Sequence, residues 1–407
     1  MPTVLPSKAH LDHFKKQAKA LLKAAGANDI AALDRFAKYH PNYAGNAKTA
    51  SRVKLQEAQL VIAREYDFPS WAQLLNAISK EKATETTDAF GSLILTNGLV
   101  AIEVLERSNI LGRKEEWLEV LHDGPIPLTS STEELNRIRA KHISSLGWSS
   151  EEAAFNRFQK RDRLLNHAND HPELFLFFEH DLYDQLQLIQ ILNTLADLPE
   201  WLDKTKLIQS NAFISTLNTT AVKTLFDSPV ALTAAHINLG QQAWSAFRQN
   251  TPKALDELLN EDLSLLPYLK SSLLRIRQEF PDPTQGLGRT ERQILEAVAD
   301  NNNDRASLFR SNQAKEEAAF MGDASFLHIV ERLSKGQKPL LRIESSDHPL
   351  NQMSTVKPET LKGCCIYLTD TGKSALEKRF NRLTDLPAPY WIGGSKIENE
   401  NSPKSRD

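Results

Sequence analysis

Residues Leu174–Leu195 read LFLFFEHDLYDQLQLIQILNTL, and this stretch decides the fold. An unbroken apolar run, Leu174–Phe178, ends in Glu179-His180-Asp181 and passes directly into an amphipathic helix over Leu182–Leu195. A run apolar on both faces suits a strand buried in a parallel sheet. Ligands bind in the crevice beyond the carboxyl ends of such strands, so three ionisable groups there mark a candidate site. In an extended chain Glu179 and Asp181 point the same way, because side chains alternate with period two. Two carboxylates on one face suit Mg²⁺ or Mn²⁺, which prefer oxygen ligands. The same residues also have a structural use. Asp181 is a preferred N-cap, and Asp184 falls in the positive first turn of the helix. Gln185, one turn beyond Asp181, can face the same pocket, whereas Gln187 falls elsewhere as a surface or packing residue. The broad stripe of Leu182, Leu186, Leu188, Ile189, Ile191, Leu192 and Leu195 fits a helix packed on a sheet.

Working outward, Leu93-Ile94-Leu95-Thr96 reads as a short strand ending at Asn97-Gly98, with a helix over Val100–Arg107. Glu116–Leu121 reads as a second strand that ends in the turn His122-Asp123-Gly124-Pro125. Helices over Ser131–Ser145 and Ser149–His167 follow, and Lys206-Leu207-Ile208 reads as a last strand. Strands alternating with helices predict an α/β, Rossmann-like parallel-sheet domain over residues 89–210. Asn97, Gly98, His122, Asp123, Gly124, Glu179, His180, Asp181 and Asp184 then form the candidate ligand-binding set along one sheet edge. Glu179 and Asp181 are the candidate metal ligands. With His122 they are also the candidate catalytic groups, a histidine completing the shell or acting as general base.

The flanking segments are helical. Leu11, Phe14, Ala18, Leu21 and Leu22 recur at helical spacing. Gly26 with Asn28-Asp29 ends one helix and caps the next, and His40-Pro41 ends that one in turn. A third helix is expected from about Ser51 to Tyr66, and Pro69-Ser70-Trp71 opens a fourth. Residues 1–80 are thus an all-helical module, and KEKATETTD (residues 80–88) supplies a polar linker, assigned to 81–88. Residues 211–285 read as a further helical region, with Val230–Asn250 and Leu263–Phe280 as helices and Arg275 and Arg277 turned to solvent. Residues 286–395 read as a winged-helix-like domain. Its helices are expected at Arg289–Ala299, Arg305–Ala318 and Asp323–Lys335. Its strands are expected at Leu340–Ile343 and Ile366–Leu368, flanking a long wing, with a closing helix over Gly372–Arg382. The third helix would be the one that enters a DNA groove. Its polar face, Asp323, Ser325, His328, Glu331, Arg332 and Lys335, balances acids against bases, a poor match to phosphate. Residues 396–407 are polar and expected to be a disordered tail.

Composition sets wider bounds. The chain has 407 residues, 41% hydrophobic and 25% charged, an ordinary globular mixture with room for two or three domains. Residues 1–86 carry 13 Lys and Arg against 8 Asp and Glu, while the whole chain stands at −3. That mildly basic head reads as a solvated surface rather than a nucleic-acid patch. No run approaches the roughly 18 apolar residues of a membrane span, so no membrane partner is expected. MPTVLPSKAHLDHFKK lacks the apolar core of a secretory signal. The only cysteines, Cys364 and Cys365, are adjacent, poorly placed for a disulfide and without metal-ligand spacing. A reducing cytoplasm is the expected compartment. No phosphate loop, G-x-G-x-x-G after a strand, H-E-x-x-H, C-x-x-C or G-x-S-x-G occurs, which excludes the families those motifs define.

Two resemblances add to this reading. Residues 54–74, KLQEAQLVIAREYDFPSWAQL, resemble a helical module found ahead of ankyrin-like repeats in bacterial proteins, which implies a docking or scaffold role and a protein partner. No repeat array follows it. LILTNG (93–98), VLHDGPIP (120–127) and FFEHDLYDQLQLIQIL (177–192) together resemble a bacterial family known as domain of unknown function 1835. GLGRTERQILEAVA, EEAAFMGDASFLHIVERL, IYLTDTG and YWIGG extend that resemblance over about residues 90–395. Members usually carry Asp and then Ser after Asn-Gly, where this chain has Leu99 and Val100; if those polar residues bind a ligand in the family, the resemblance implies that part of that site is lost here. The expected function is binding of a small polar or phosphorylated ligand at the strand ends. Mg²⁺- or Mn²⁺-dependent phosphoester hydrolysis, as a phosphoesterase or nuclease, is the alternative, and DNA-binding regulation the second alternative.

Overall fold

A computed structural model describes residues 11–43, 53–66, 68–71, 73–75, 91–345 and 363–399. The chain divides into two compact units, Met1–Phe90 and Gly91–Asp407. In the first, helices α1 (Leu11–Gly26), α2 (Ile30–Tyr39) and α3 (Leu55–Glu65) close on Phe14, Leu21, Phe36, Val61 and Ile62. Asp29 caps α2 by accepting from Ala32 N at 2.9 Å. Pro41 stops it, because the residue before a proline is driven to extended backbone, as His40 is. Arg35 donates two 2.6 Å hydrogen bonds to Glu65, tying α2 to α3. Ser51 and the linker at 81–88 lie outside the described residues.

The second unit is mixed α/β. Its elements begin with β1 (Leu93–Thr96), α4 (Leu99–Arg107), β2 (Arg113–Glu116), α5 (Thr132–Ser145), α6 (Glu151–Asp162) and β3 (Leu174–Phe178). Then come α7 (Leu182–Leu195), β4 (Thr205–Gln209), α8 (Thr219–Asp227), β5 (Val230–Ala231) and α9 (Ala234–Phe247). The strands form one sheet in the order β2-β1-β3-β4-β5, parallel except for β5. Both faces are covered. Leu93, Leu95, Leu174, Leu176, Phe178 and Leu207 face the core that holds α7. Ile94, Phe177 and Ile208 meet Ala101, Val104 and Leu105 of α4 and Val222 of α8. Each such side chain contributes about 1.5–3 kcal/mol on burial, so Leu174–Phe178 is anchored from both sides.

Several expectations shift. The second strand is Arg113–Glu116, not Glu116–Leu121. Four-residue β1 gives it only four partners, and the register closes when Trp117 N donates to the Thr96 carbonyl at 2.8 Å. Trp117 and Leu121 then enter the core from a loop. Residues Lys206–Ile208 are not the last strand, because Val230–Ala231 adds antiparallel to β4. The helix expected from Val230 starts only at Ala234, where Thr233 and His236 form a capping box. The helix expected over Ser149–His167 ends at Asp162 and tightens into a 3₁₀ segment, Arg163–Asp170.

Downstream lie α10 (Lys253–Leu258), α11 (Leu269–Arg277), α12 (Arg289–Ala299), α13 (Arg305–Gln313) and α14 (Asp323–Leu333). An antiparallel ribbon, β6 (Leu341–Ser345) with β7 (Cys364–Leu368), is followed by α15 (Asp370–Leu376) and the hairpin β8 (Tyr390–Ile392) with β9 (Ser395–Ile397). The expected tail therefore starts too early, since Lys396 and Ile397 pair with Trp391 and Tyr390. Residues 346–362, the expected wing, and 400–407 lie outside the described residues. Arg275 is not turned to solvent: it donates to Glu316 at 2.6 and 2.8 Å and to Thr290 at 2.9 Å, and pairs with Glu279. Arg277 pairs with Asp256. One continuous core runs from Leu93 to Ile392, without a break at 210 or 285.

Candidate functional site

The chain runs from β1 to β2 on one side and returns through β3 on the other, so the strand order reverses between β1 and β3. Such a reversal opens a crevice at the carboxyl ends of the two strands. Asn97 follows β1 and Glu179 follows β3. Their side chains and backbone converge on α7. Asn97 Nδ2 donates to Asp184 Oδ2 at 2.8 Å, and Glu179 N donates to Asp184 Oδ1 at 2.6 Å. Asp181 caps α7 as its residue type predicts, Oδ1 accepting from Asp184 N at 3.1 Å. Glu179 Oε1 accepts from Ile214 N at 2.7 Å.

These bonds hold three carboxylates together. One oxygen from each of Glu179, Asp181 and Asp184 lies within 4.8 Å of the others, and all three residues are buried. Among the described residues, no Lys, Arg or His is hydrogen-bonded or ion-paired to them. Burial raises the Glu179 carboxyl. Burial first, and then the charge of Glu179, pushes Asp181 up to about 7. Burial and both neighbours hold Asp184 well above the usual carboxylate range. Such a cluster either keeps protons or meets a cation with oxygen ligands. Gln185 lies at its base, Nε2 donating to the Glu179 carbonyl at 2.7 Å, and Gln187 is fully buried as a packing residue.

The other candidates separate. Gly98 provides the N-cap position of α4. His180 rests against Phe213 and Tyr268, ring centroids 5.1 and 6.0 Å away. His122 packs edge-on to Phe320 and Tyr183, and neither ring nitrogen has a hydrogen-bond partner. Burial pushes it down to about 4, so it is neutral at neutral pH. Asp123 and Gly124 belong to a different place, facing His142 of α5 and His328 of α14. Burial opposes the Asp123 charge, but the His142 hydrogen bond and three neighbouring imidazoles outweigh it and hold the carboxyl well below its usual range. His142 is not marked in the sequence because it sits in the last turn of a charged helix, where a basic residue is ordinary. Its one local signal is Gly124, a residue whose conformation makes room for it.

No family model and no curated protein matches this chain. Among the described residues, no helix is long and apolar enough to cross a membrane.

Proposed function

We propose that this chain is a cytoplasmic ligand-binding protein. Its Rossmann-like domain takes Mg²⁺ or Mn²⁺ at Glu179, Asp181 and Asp184 and, through the ion, a small polar or phosphorylated ligand. The observation that carries this is the trio of buried carboxylates, within 4.8 Å of one another at the strand-order reversal and bonded to no basic side chain. A free phosphate would be repelled by three acids, whereas one already bound to a divalent ion would not. Motifs behind the resemblance to domain of unknown function 1835 contribute here, LILTNG giving Asn97 and EHDLYD the acids.

The hydrolytic alternative needs a base beside the ion. His122 packs on Tyr183 and Phe320, His180 packs on Phe213 and Tyr268, and neither is hydrogen-bonded to the three carboxylates, so binding is the better-supported reading. DNA recognition through α14 fares worse. Ser325 is buried, Arg332 donates to Glu291 at 3.1 Å, and Lys335 pairs with Glu331, which leaves that face few free cations.

Thermal unfolding in EDTA, Mg²⁺ and Mn²⁺, for wild type and Asp181→Asn/Asp184→Asn, tests the proposal. A bound ion should stabilise the wild type, by about 2.7 kcal/mol at roughly 100 times Kd, and leave the variant unmoved. An unmoved wild type, or an equal rise in the variant, removes the reading.

A further inference from the structure

The loop after β2 builds a concavity, separate from the carboxylate cluster. Asp123 and Gly124 line a cavity of about 440 Å³ whose other walls come from α5, α14 and the β8–β9 hairpin. Its parts are fixed in place. Arg139 donates to the Asp123 carbonyl at 2.6 Å and to the Val120 carbonyl at 2.8 Å. Gly124 has φ +87°, and a Cβ there would fall 2.1 Å from His142 Nε2, so the imidazole packs on bare backbone. That contact leaves His142 Nε2 at 3.3 Å from Asp123 Oδ1. The hairpin docks through Ile126 N on the Gly393 carbonyl at 2.8 Å and Gly394 N on the Phe247 carbonyl at 3.0 Å. It thereby sets Tyr390 and Trp391 in the wall.

The lining chemistry favours an anion. Lys141, His142, His328 and Arg332 line it with a single acid, Asp123, while Arg332 also donates to Glu291, which is not part of the lining, at 3.1 Å. The Arg332 guanidinium lies 3.9 Å over the Tyr390 ring, which fixes it in the wall. The donors reach the cavity from two sides, α5 and α14. That arrangement suits a phosphoryl group with three acceptor oxygens better than a planar carboxylate.

We infer that this cleft binds a phosphomonoester, its phosphoryl group among Lys141, His142, His328 and Arg332 and its organic part against Trp391. The inference does not depend on the ion site. Titration of the full chain with inorganic phosphate and with glycerol phosphate, in EDTA, tests it by the NMR shifts of the histidine C2 protons. Saturable shifts of His142 and His328 are expected, with affinity at least about tenfold weaker in Lys141→Ala and in His328→Asn. Lys141 is exposed, so its variant keeps the test valid if His328→Asn fails to fold. No shift with either phosphate, or unchanged affinity in Lys141→Ala, overturns the assignment. Saturation by malonate or by a short DNA duplex, where both phosphates fail, overturns it too, in favour of a carboxylate or a nucleic-acid backbone.

Discussion

Two buried groups of charges in the second unit are built in opposite ways. Around Glu119, which is 2% exposed, Arg139 and Arg161 are also buried, at 1% and 4%. Arg139 Nε donates to Glu119 Oε1 at 3.1 Å and Arg161 Nη1 to Oε2 at 2.8 Å. Arg161 passes on to Asp162, and Asp162 accepts from Asn136 at 2.6 Å. At the strand ends, three carboxylates are equally buried with amides and backbone N–H groups as their partners. Both groups carry the desolvation cost of buried charge, but only the first recovers it within the protein. Compensation of this kind belongs to architecture: Arg139 spends its remaining donors on the loop that carries Asp123. Carboxylates left uncompensated either keep their protons or take a cation from outside the chain.

The sharpest break of that contrast is Glu119→Ala, which strands two guanidiniums in the core. It should cost about 3–5 kcal/mol in urea unfolding, and a loss under 1 kcal/mol would show that the network holds nothing together. Next comes acid. The His122 imidazole is held near 4 in the folded chain, below its ordinary 6.5. The unfolded chain therefore takes up a proton that the folded one refuses, and stability falls as pH drops from 6.5 towards 4. The loss should be on the order of 3 kcal/mol. His122→Phe, which keeps the ring contacts with Tyr183 and Phe320, should flatten that limb of the pH–stability curve; an unchanged slope would assign it to another group.

Smaller, and opposite in sign, is Asp184→Asn. In EDTA it should stabilise by about 1 kcal/mol, because it removes a carboxyl whose charge is opposed by burial and by its two acidic neighbours, with Asn97 turning its amide oxygen towards the new Nδ2. If it destabilises instead, the strand-end cluster is as structural as the Glu119 network and the contrast collapses. The smallest effect belongs to an exposed pair, Lys253 with Glu257. Lys253→Ala should stay within about 0.5 kcal/mol, the scale against which the buried groups are read.

The sequence was most legible where burial is two-sided. Leu174–Phe178 and Leu182–Leu195 fall where their apolar patterns put them, and Asp181 caps the helix as its type predicts. The strand Arg113–Glu116 was illegible because an edge position leaves RKEE part-exposed and without apolar alternation. WLEVL, beside it, looks more like a strand than the strand does. Arg275 and Arg161 could not be placed from periodicity, since their partners Glu316 and Glu119 stand 41 and 42 residues away. The candidate site was half legible for the same reason. Glu179, Asp181 and Asp184 are local to one strand–helix junction. Asp123 finds His142 and His328 only through tertiary packing.

The docking of the β8–β9 hairpin onto the 120s loop has a consequence for synthesis. Ile126 leaves the ribosome long before Gly393, the residue whose carbonyl it bonds. At roughly 5–20 residues per second, the delay is on the order of tens of seconds. Through that interval the sheet strands, all made by Ala231, can pair, while one wall of the phosphate cleft does not yet exist. A fragment ending before Tyr390 would thus carry the carboxylate cluster without the cleft, and a nascent chain acquires the two in sequence rather than together.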